Sequence, residues 1–223
     1  MTDGHVHAAG ELAIARAHAI YTPFMLSIYD LLVHGVSNRF AWRCPTQRLL
    51  DLYRANLSAD HLEAGAGTGF FLDKTGDGRL GRLALLDINR HCLDRSARRL
   101  ARFAPELHEV NLLAPIQLEL SPFASVGLTY VLHCLPGRMD DKLVVVDHLR
   151  PLMRKDAVLF GATILGRHIA PNFAARRLLG LYNAKGVFNN RDDDFDALSR
   201  GLRQCFDTVE IETQGLVAIF RAA

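Results

Sequence analysis

The chain has 223 residues, of which 49% are hydrophobic and 22% charged, with a formal net charge of +2 and a pI near 8.4. That length suits one α/β domain with a short cap, and the composition excludes an intrinsically disordered chain. The near balance of charge leaves no broad cationic face for nucleic acid.

Residues 1–10 read as a frayed start, with His5 and His7 where a secretory leader would place a basic segment before an apolar run. Two such histidines without a carboxylate partner do not call for a metal. From Glu11 to about Leu57 the pattern is helical, which defines an N-terminal cap over residues 1–57. Thr22-Pro23 supplies an N-cap followed by proline at the first helical position. The run from Phe24 to Val33 is apolar nearly all round, so it should be buried or cover a pocket. It is too short to span a bilayer, and Ser27 and Asp30 interrupt it. Gly35 is a plausible stop, and a second helix should follow Pro45 with Leu49, Leu50 and Leu52 facing inward.

Beyond residue 58 short apolar runs alternate with helical patterns, the rhythm of a parallel α/β sheet. Strands are expected at His61–Gly65, Leu83–Asp87, Leu107–Asn111, Ser125–Val131, Ala157–Ile164, Thr208–Thr213 and Leu216–Arg221. Helices are expected from Phe70, over Arg90–Phe103, over Met139–Met153 and over Pro171–Tyr182. Gln214-Gly215 separates the last two strands as a hairpin turn, which makes one strand near the C-terminus antiparallel. Arg90, Arg95, Arg98, Arg99 and Arg102 fall on one helix, either as a solvated face or as a phosphate-binding stripe. Cys44, Cys92, Cys134 and Cys205 form no CxxC pair, which fits reduced thiols in a cytoplasmic protein.

The most informative segment is His61-Leu62-Glu63-Ala64-Gly65-Ala66-Gly67-Thr68-Gly69-Phe70. A strand runs into three alternate glycines, which permit positive φ and close backbone approach to a ligand. The helix that follows offers unpaired N–H groups and a positive dipole end. Asp87 closes the next strand, where a carboxylate can accept hydrogen bonds from ribose hydroxyls. Together these say only that the ligand contains adenosine. A dinucleotide fingerprint would place its last glycine at position 70, where Phe stands. Glu63 would also sit poorly against a pyrophosphate. It suits a charged amine, or it could structure the loop through backbone N–H groups.

With that E-x-G-x-G-x-G turn and Asp87 on the page, the chain from about residue 58 to its end resembles a class I S-adenosylmethionine-dependent methyltransferase of the small-molecule type. The resemblance implies an α/β, Rossmann-like, mostly parallel sheet of seven strands in the order 3-2-1-4-5-7-6. Strand 7 would be antiparallel, with helices on both faces and the helical cap in front of a compact unit over 58–223. It implies that Glu63, Gly65, Gly67 and Gly69 cradle the methionine moiety, that Asp87 holds the ribose and that Ile88 packs on adenine. Asn111, with Leu112 beside it, stands where the family usually has an Asp accepting from the adenine amine. Thr129 and Tyr21 complete the expected cofactor set. The cofactor would leave as S-adenosyl-L-homocysteine.

The stretch Thr129-Tyr130-Val131-Leu132-His133-Cys134-Leu135-Pro136 is similar to the "nvLHHl" segment of small-molecule methyltransferases. Neither an N-P-P-Y pattern nor the Glu-rich double loop of protein arginine methyltransferases is present. Methyl transfer needs a positioned nucleophile and, for an oxygen or carbon acceptor, usually a general base. His133 is the first candidate base and His168 the second. Phe24, Met25, Tyr29, Tyr130, Phe173 and Tyr182 are the candidate substrate contacts, although each could equally be core packing. The expected partner is a small molecule with an O, N or C acceptor, not nucleic acid or a membrane, and the chain is expected as a monomer or homodimer. A cofactor-binding protein that retains the fold without methyl transfer, or an RNA or protein methyltransferase, remains as an alternative.

Overall fold

The computed structural model describes residues 37–167 and 170–223. Their strands are β1 (Asp60–Ala64), β2 (Arg82–Asp87), β3 (Glu106–Glu109), β4 (Phe123–Thr129), β5 (Met153–Ile164), β6 (Val209–Gln214) and β7 (Val217–Ala222). They make one seven-stranded sheet of order β3-β2-β1-β4-β5-β7-β6. Strands β1 to β5 pair in parallel, while β7 lies antiparallel to both β5 and β6. This is the expected fold, including the reversed seventh strand.

The sheet is covered on both faces because its central strands are apolar on both. On β2, Ala84 and Leu86 join one core with Val126, Leu128, Val145, Leu149, Leu198 and Leu202. Leu83 and Leu85 point the other way, into a core with Leu49, Tyr53, Phe71, Leu72, Leu93 and Phe160. The second face carries α1 (Thr46–Asn56), α2 (Phe70–Thr75) and α3 (Arg90–Arg99). The first face carries α4 (Met139–Lys142), α5 (Val144–Leu149) and α7 (Phe195–Cys205), with α6 (Phe173–Ala184) preceding α7 in the chain. Helix α1 is the second helix expected of the cap. The remainder of the cap up to residue 36 lies outside the described residues.

Several boundaries differ from the sequence reading. Strand β4 stops at Thr129 rather than Val131, because Tyr130 takes a positive φ of 62° while its N–H donates to the Ala162 carbonyl at 2.7 Å. Strand β3 is shorter than expected, leaving Asn111 in a turn whose side chain accepts from the Leu113 N–H at 3.0 Å. The expected helix over Met139–Met153 divides into α4, α5 and a 3-10 turn at Arg150–Leu152, where Pro151 lacks the N–H to continue.

The hairpin loop is Gly215-Leu216, one residue later than read, since Gln214 and Val217 still pair. Gly215 has a φ of +59°, and a Cβ there would overlap the Trp42 carbonyl. Helix α7 was not expected. Asp194 caps it by accepting from the Ala197 N–H at 2.8 Å, and Leu198 and Leu202 pack into the core. No helix among the described residues is long and apolar enough to cross a membrane.

Candidate functional site

The three glycines leave β1 with φ values of +80° at Gly65, +51° at Gly67 and +71° at Gly69, conformations that side-chain-bearing residues adopt at a cost. Gly65 and Ala66 both donate to the Leu86 carbonyl, which fastens the turn to the end of β2. A Cβ on Gly65 would overlap Val131, whereas one on Gly67 would meet nothing within 4 Å. The turn therefore packs against the β4 exit at one end and is open at the middle glycine. At its far end Thr68 is held by Arg99, whose Nη1 donates to the Thr68 carbonyl at 3.0 Å and to Oγ1 at 3.1 Å.

Asp87 faces this turn. Its Oδ2 accepts from the Gly67 N–H at 3.0 Å and its Oδ1 from the Asn89 N–H at 2.8 Å. Two backbone donors thus fix the carboxylate's orientation. Asn89 is buried and caps α3 by accepting from the His91 N–H, while its Nδ2 has no hydrogen-bond partner among the described residues. Ile88 follows Asp87 at the edge of the turn and is half-buried. Leu112 is buried nearby, and its carbonyl meets His148 Nδ1 at 2.9 Å.

Glu63 lies deeper than its sequence position suggested, only 5% exposed. Its Oε1 accepts from the Tyr53 hydroxyl at 2.6 Å and its Oε2 lies 3.0 Å from His61 Nε2. A carboxylate only accepts, so that ring nitrogen carries the hydrogen. His61 Nδ1 in turn meets Ser125 Oγ at 2.8 Å, and Ser125 Oγ meets Ser58 Oγ at 2.8 Å. Burial and the Glu63 charge hold the Tyr53 hydroxyl well above its ordinary range, so it stays a donor. None of Tyr53, His61, Ser125 or Ser58 was singled out from the sequence. The signal available was a histidine two residues before Glu63 on one strand, which places both on the same face.

Past β4, Tyr130 and His133 come together with the segment after α6. The Tyr130 and His133 rings are T-shaped at 5.6 Å, and His133 meets Phe188 in the same manner at 4.4 Å. Tyr182 tilts onto Phe188 at 4.9 Å, with Trp42 on another side at 5.9 Å. The Tyr130 hydroxyl donates to Asn38 Oδ1 at 2.9 Å. Tyr130 and Tyr182 are partly exposed, while Phe188 and Trp42 are buried. Phe173 lies apart from this cluster, 72% exposed with the Arg177 guanidinium over its ring.

His133 is 3% exposed, and its Nδ1 lies 3.4 Å from the Ile164 N–H and 3.5 Å from Thr163 Oγ1. Burial, assisted by the Lys142 charge, pushes the ring down to about 3 from its ordinary 6.5. It is a neutral imidazole at pH 7. With Nδ1 turned to a backbone donor, the hydrogen sits on Nε2. Lys142 itself is fully buried and reaches both oxygens of the buried Asp193, at 2.8 and 2.7 Å, and the Asn189 carbonyl at 2.9 Å. This ion pair ties the segment after α6 to α4, close to His133. Of the other candidates, Thr129 ends β4, buried beside Tyr53. Tyr21, Phe24, Met25, Tyr29 and His168 lie outside the described residues.

Three of the five clustered arginines hold protein partners, Arg90 and Arg99 on α3 and Arg102 in the 3-10 turn after it. Arg90 pairs with Asp94, Arg102 pairs with Asp73 and Asp77, and Arg99 holds the glycine turn. That is the reading of a helix face bound to its own surroundings.

No protein-family model matches the chain. It is 33% identical over 209 residues to the physcion biosynthesis cluster O-methyltransferase of Aspergillus chevalieri, an alignment that covers 93% of this chain and 94% of that protein. It is 34% identical over 210 residues to the demethylluteothin O-methyltransferase of Streptomyces thioluteus, covering 94% and 91% of the two chains. Its fold is similar to that of the DhpI–SAH complex, with a TM-score of 0.69 at 15% identity over 94% of this chain and 96% of that one.

Proposed function

This chain belongs to the S-adenosylmethionine-dependent methyltransferases, and from that premise we propose that it delivers the methyl group to an oxygen of a small aromatic molecule. The observation that carries the reading is the Gly65–Gly69 turn facing an Asp87 carboxylate already oriented by the Gly67 and Asn89 N–H groups. Two relatives covering more than nine-tenths of the chain are named as O-methyltransferases, which supports oxygen as the acceptor atom. The ring of Tyr130 against His133, with that of Tyr182 on Phe188, supports a flat acceptor.

The residues present fit the adenosyl cofactor. The turn is open at Gly67, where a Cβ would meet nothing within 4 Å, and the buried Asn89 Nδ2 is a donor without a partner among the described residues. In this reading Gly65, Gly67 and Gly69 bring backbone up to the methionine end and Glu63 offers it a negative charge. Asp87 accepts from the ribose, with Thr129 at the floor. Ile88, Asn111 and Leu112 border the adenine. When bound, S-adenosylmethionine supplies an electrophilic methyl group on sulfur and departs as S-adenosyl-L-homocysteine. The protein's task is then to align the acceptor oxygen and exclude water.

His133 serves this task as a neutral ring. Acting as a base at Nε2 would require moving the hydrogen to Nδ1 and losing the Ile164 contact, so the geometry favours donation from Nε2. A donor of that kind orients the acceptor oxygen, which enters as a phenolate after the phenol has given its proton to bulk water. The test is incubation with isotopically labelled S-adenosylmethionine and matched phenol and aniline acceptors. Label is expected on the phenols, and its absence from phenols together with its presence on anilines would overturn the oxygen assignment. Asp87→Ala should raise the cofactor Kd about tenfold or more, as loss of a charged acceptor implies.

A further inference from the structure

We propose that Tyr53 and His61 are positioning residues for the cofactor, clamping the two oxygens of Glu63 so that its carboxylate stands fixed at the root of the glycine turn. This rests on the reading that Glu63 offers its charge to the methionine end. The sequence gives no reason to expect Tyr53, which comes from α1, before the sheet begins; His61 is signalled only by its place two residues before Glu63 on β1.

A glutamate side chain has three rotatable bonds, and a lone one beside a cleft would sample many orientations. Here every route is closed. The Tyr53 hydroxyl takes Oε1 at 2.6 Å, a short charge-assisted bond. His61 Nε2 takes Oε2 at 3.0 Å from two residues back on the same face of β1. Both clamping rings are themselves immobilised. Tyr53 stacks on Phe71 at 5.0 Å and meets Phe160 edge-on at 5.0 Å, and His61 stacks on Phe160 at 5.7 Å. Phe71 belongs to α2, the helix that the glycine turn starts, so the same stack joins the clamp to the turn.

Room for the carboxylate is made across the ladder. Glu63 pairs with Gly127 of β4, and a Cβ at Gly127 would overlap Glu63 Oε2. Gly127 has no positive φ, so its lack of a side chain is explained by this space alone. Behind His61 the chain of contacts continues to Ser125 and Ser58, which occupies the second ring nitrogen and stops the imidazole from turning over. The vacated position at Gly127 thus holds the carboxylate on the strand that runs directly into the turn.

The test separates the two ends of the cofactor. Binding of S-adenosyl-L-homocysteine and of 5′-methylthioadenosine, which lacks the amino-acid end, is measured by calorimetry for wild type, Tyr53→Phe, His61→Gln, Gly127→Ala and Glu63→Gln. Tyr53→Phe is expected to weaken S-adenosyl-L-homocysteine about tenfold, the order for a loosened hydrogen bond to a charged group, while methylthioadenosine binding stays unchanged. In a Glu63→Gln background it should add little, since the two act as one unit. Gly127→Ala moves the carboxylate without touching either clamp, and the same selective loss is expected; it also serves if Tyr53→Phe does not fold. Equal weakening of both ligands, or none, in Tyr53→Phe and Gly127→Ala would overturn the proposal while a selective loss in Glu63→Gln kept the site reading. If Glu63→Gln itself leaves both ligands unaffected, the underlying assignment of Glu63 fails with it.

Discussion

Replacing His133 with Gln should change how the fold responds to acid. In the folded chain the buried ring resists protonation down to about 3, against 6.5 for the ordinary side chain. Stability from this group is therefore complete above 6.5 and is lost as pH falls from 6.5 toward 3, because only the unfolded chain takes up the proton. Each unit in that window costs about 1.4 kcal/mol, so the ring removes about 2 kcal/mol at pH 5. Asp193 works in the opposite direction. Burial lifts its carboxyl to about 6 from 3.8, so the folded chain protonates first and gains stability as pH falls from 6 toward 3.8.

The two effects partly cancel in the wild type, and the comparison must be between proteins. The His133→Gln variant keeps an amide oxygen for the Ile164 N–H and loses the titrating ring. Urea unfolding at pH 7 and pH 5 should show the wild type losing about 2 kcal/mol more on acidification than the variant, or gaining that much less. A difference below about 0.5 kcal/mol, the usual scatter of such comparisons, would mean the ring titrates near its ordinary value in the fold. The burial-driven depression of the ring would then be refuted.

Gly65→Ala combines a positive φ with overlap on Val131. It should cost roughly 1–3 kcal/mol of stability and lower cofactor affinity in calorimetry, with Val131→Ala restoring only the part due to overlap. Lys142→Met leaves Asp193 buried without its cation and should cost roughly 3–5 kcal/mol in urea unfolding. The double variant Lys142→Met, Asp193→Leu should recover most of that, since an apolar pair replaces the ionic one.

The strand positions and the cofactor turn were legible because they rest on local signals, while the sheet order followed from the family resemblance that those signals carry. Alternate glycines after a strand, an acid closing the next strand and a hairpin glycine each act within a few residues of themselves. Strand ends were less legible, since β4 is cut short by the Tyr130 backbone bonding to Ala162 on a neighbouring strand. Helix α7 did carry a signal in Asp194 and the spacing of Phe195, Leu198 and Leu202. Gly201 in its middle obscured the helix. Gly201 is accounted for only by Leu143, which a Cβ there would overlap. Contacts that join distant segments were beyond reach: Tyr53 on Glu63, Lys142 on Asp193, and the burial that keeps His133 neutral.

The hairpin between β6 and β7 also constrains the order in which the molecule can be assembled. Leu216 donates to the Trp42 carbonyl and accepts from the Leu165 N–H, so residues just ahead of α1 are tied to a hairpin made long after them. Strand β7 moreover lies between β5 and β6, which leaves β6 with no strand to join until β7 has emerged. On a ribosome the segment around Trp42 would wait for this hairpin to emerge. A nascent chain cut short before this hairpin is thus a natural target for chaperones rather than a partly working enzyme.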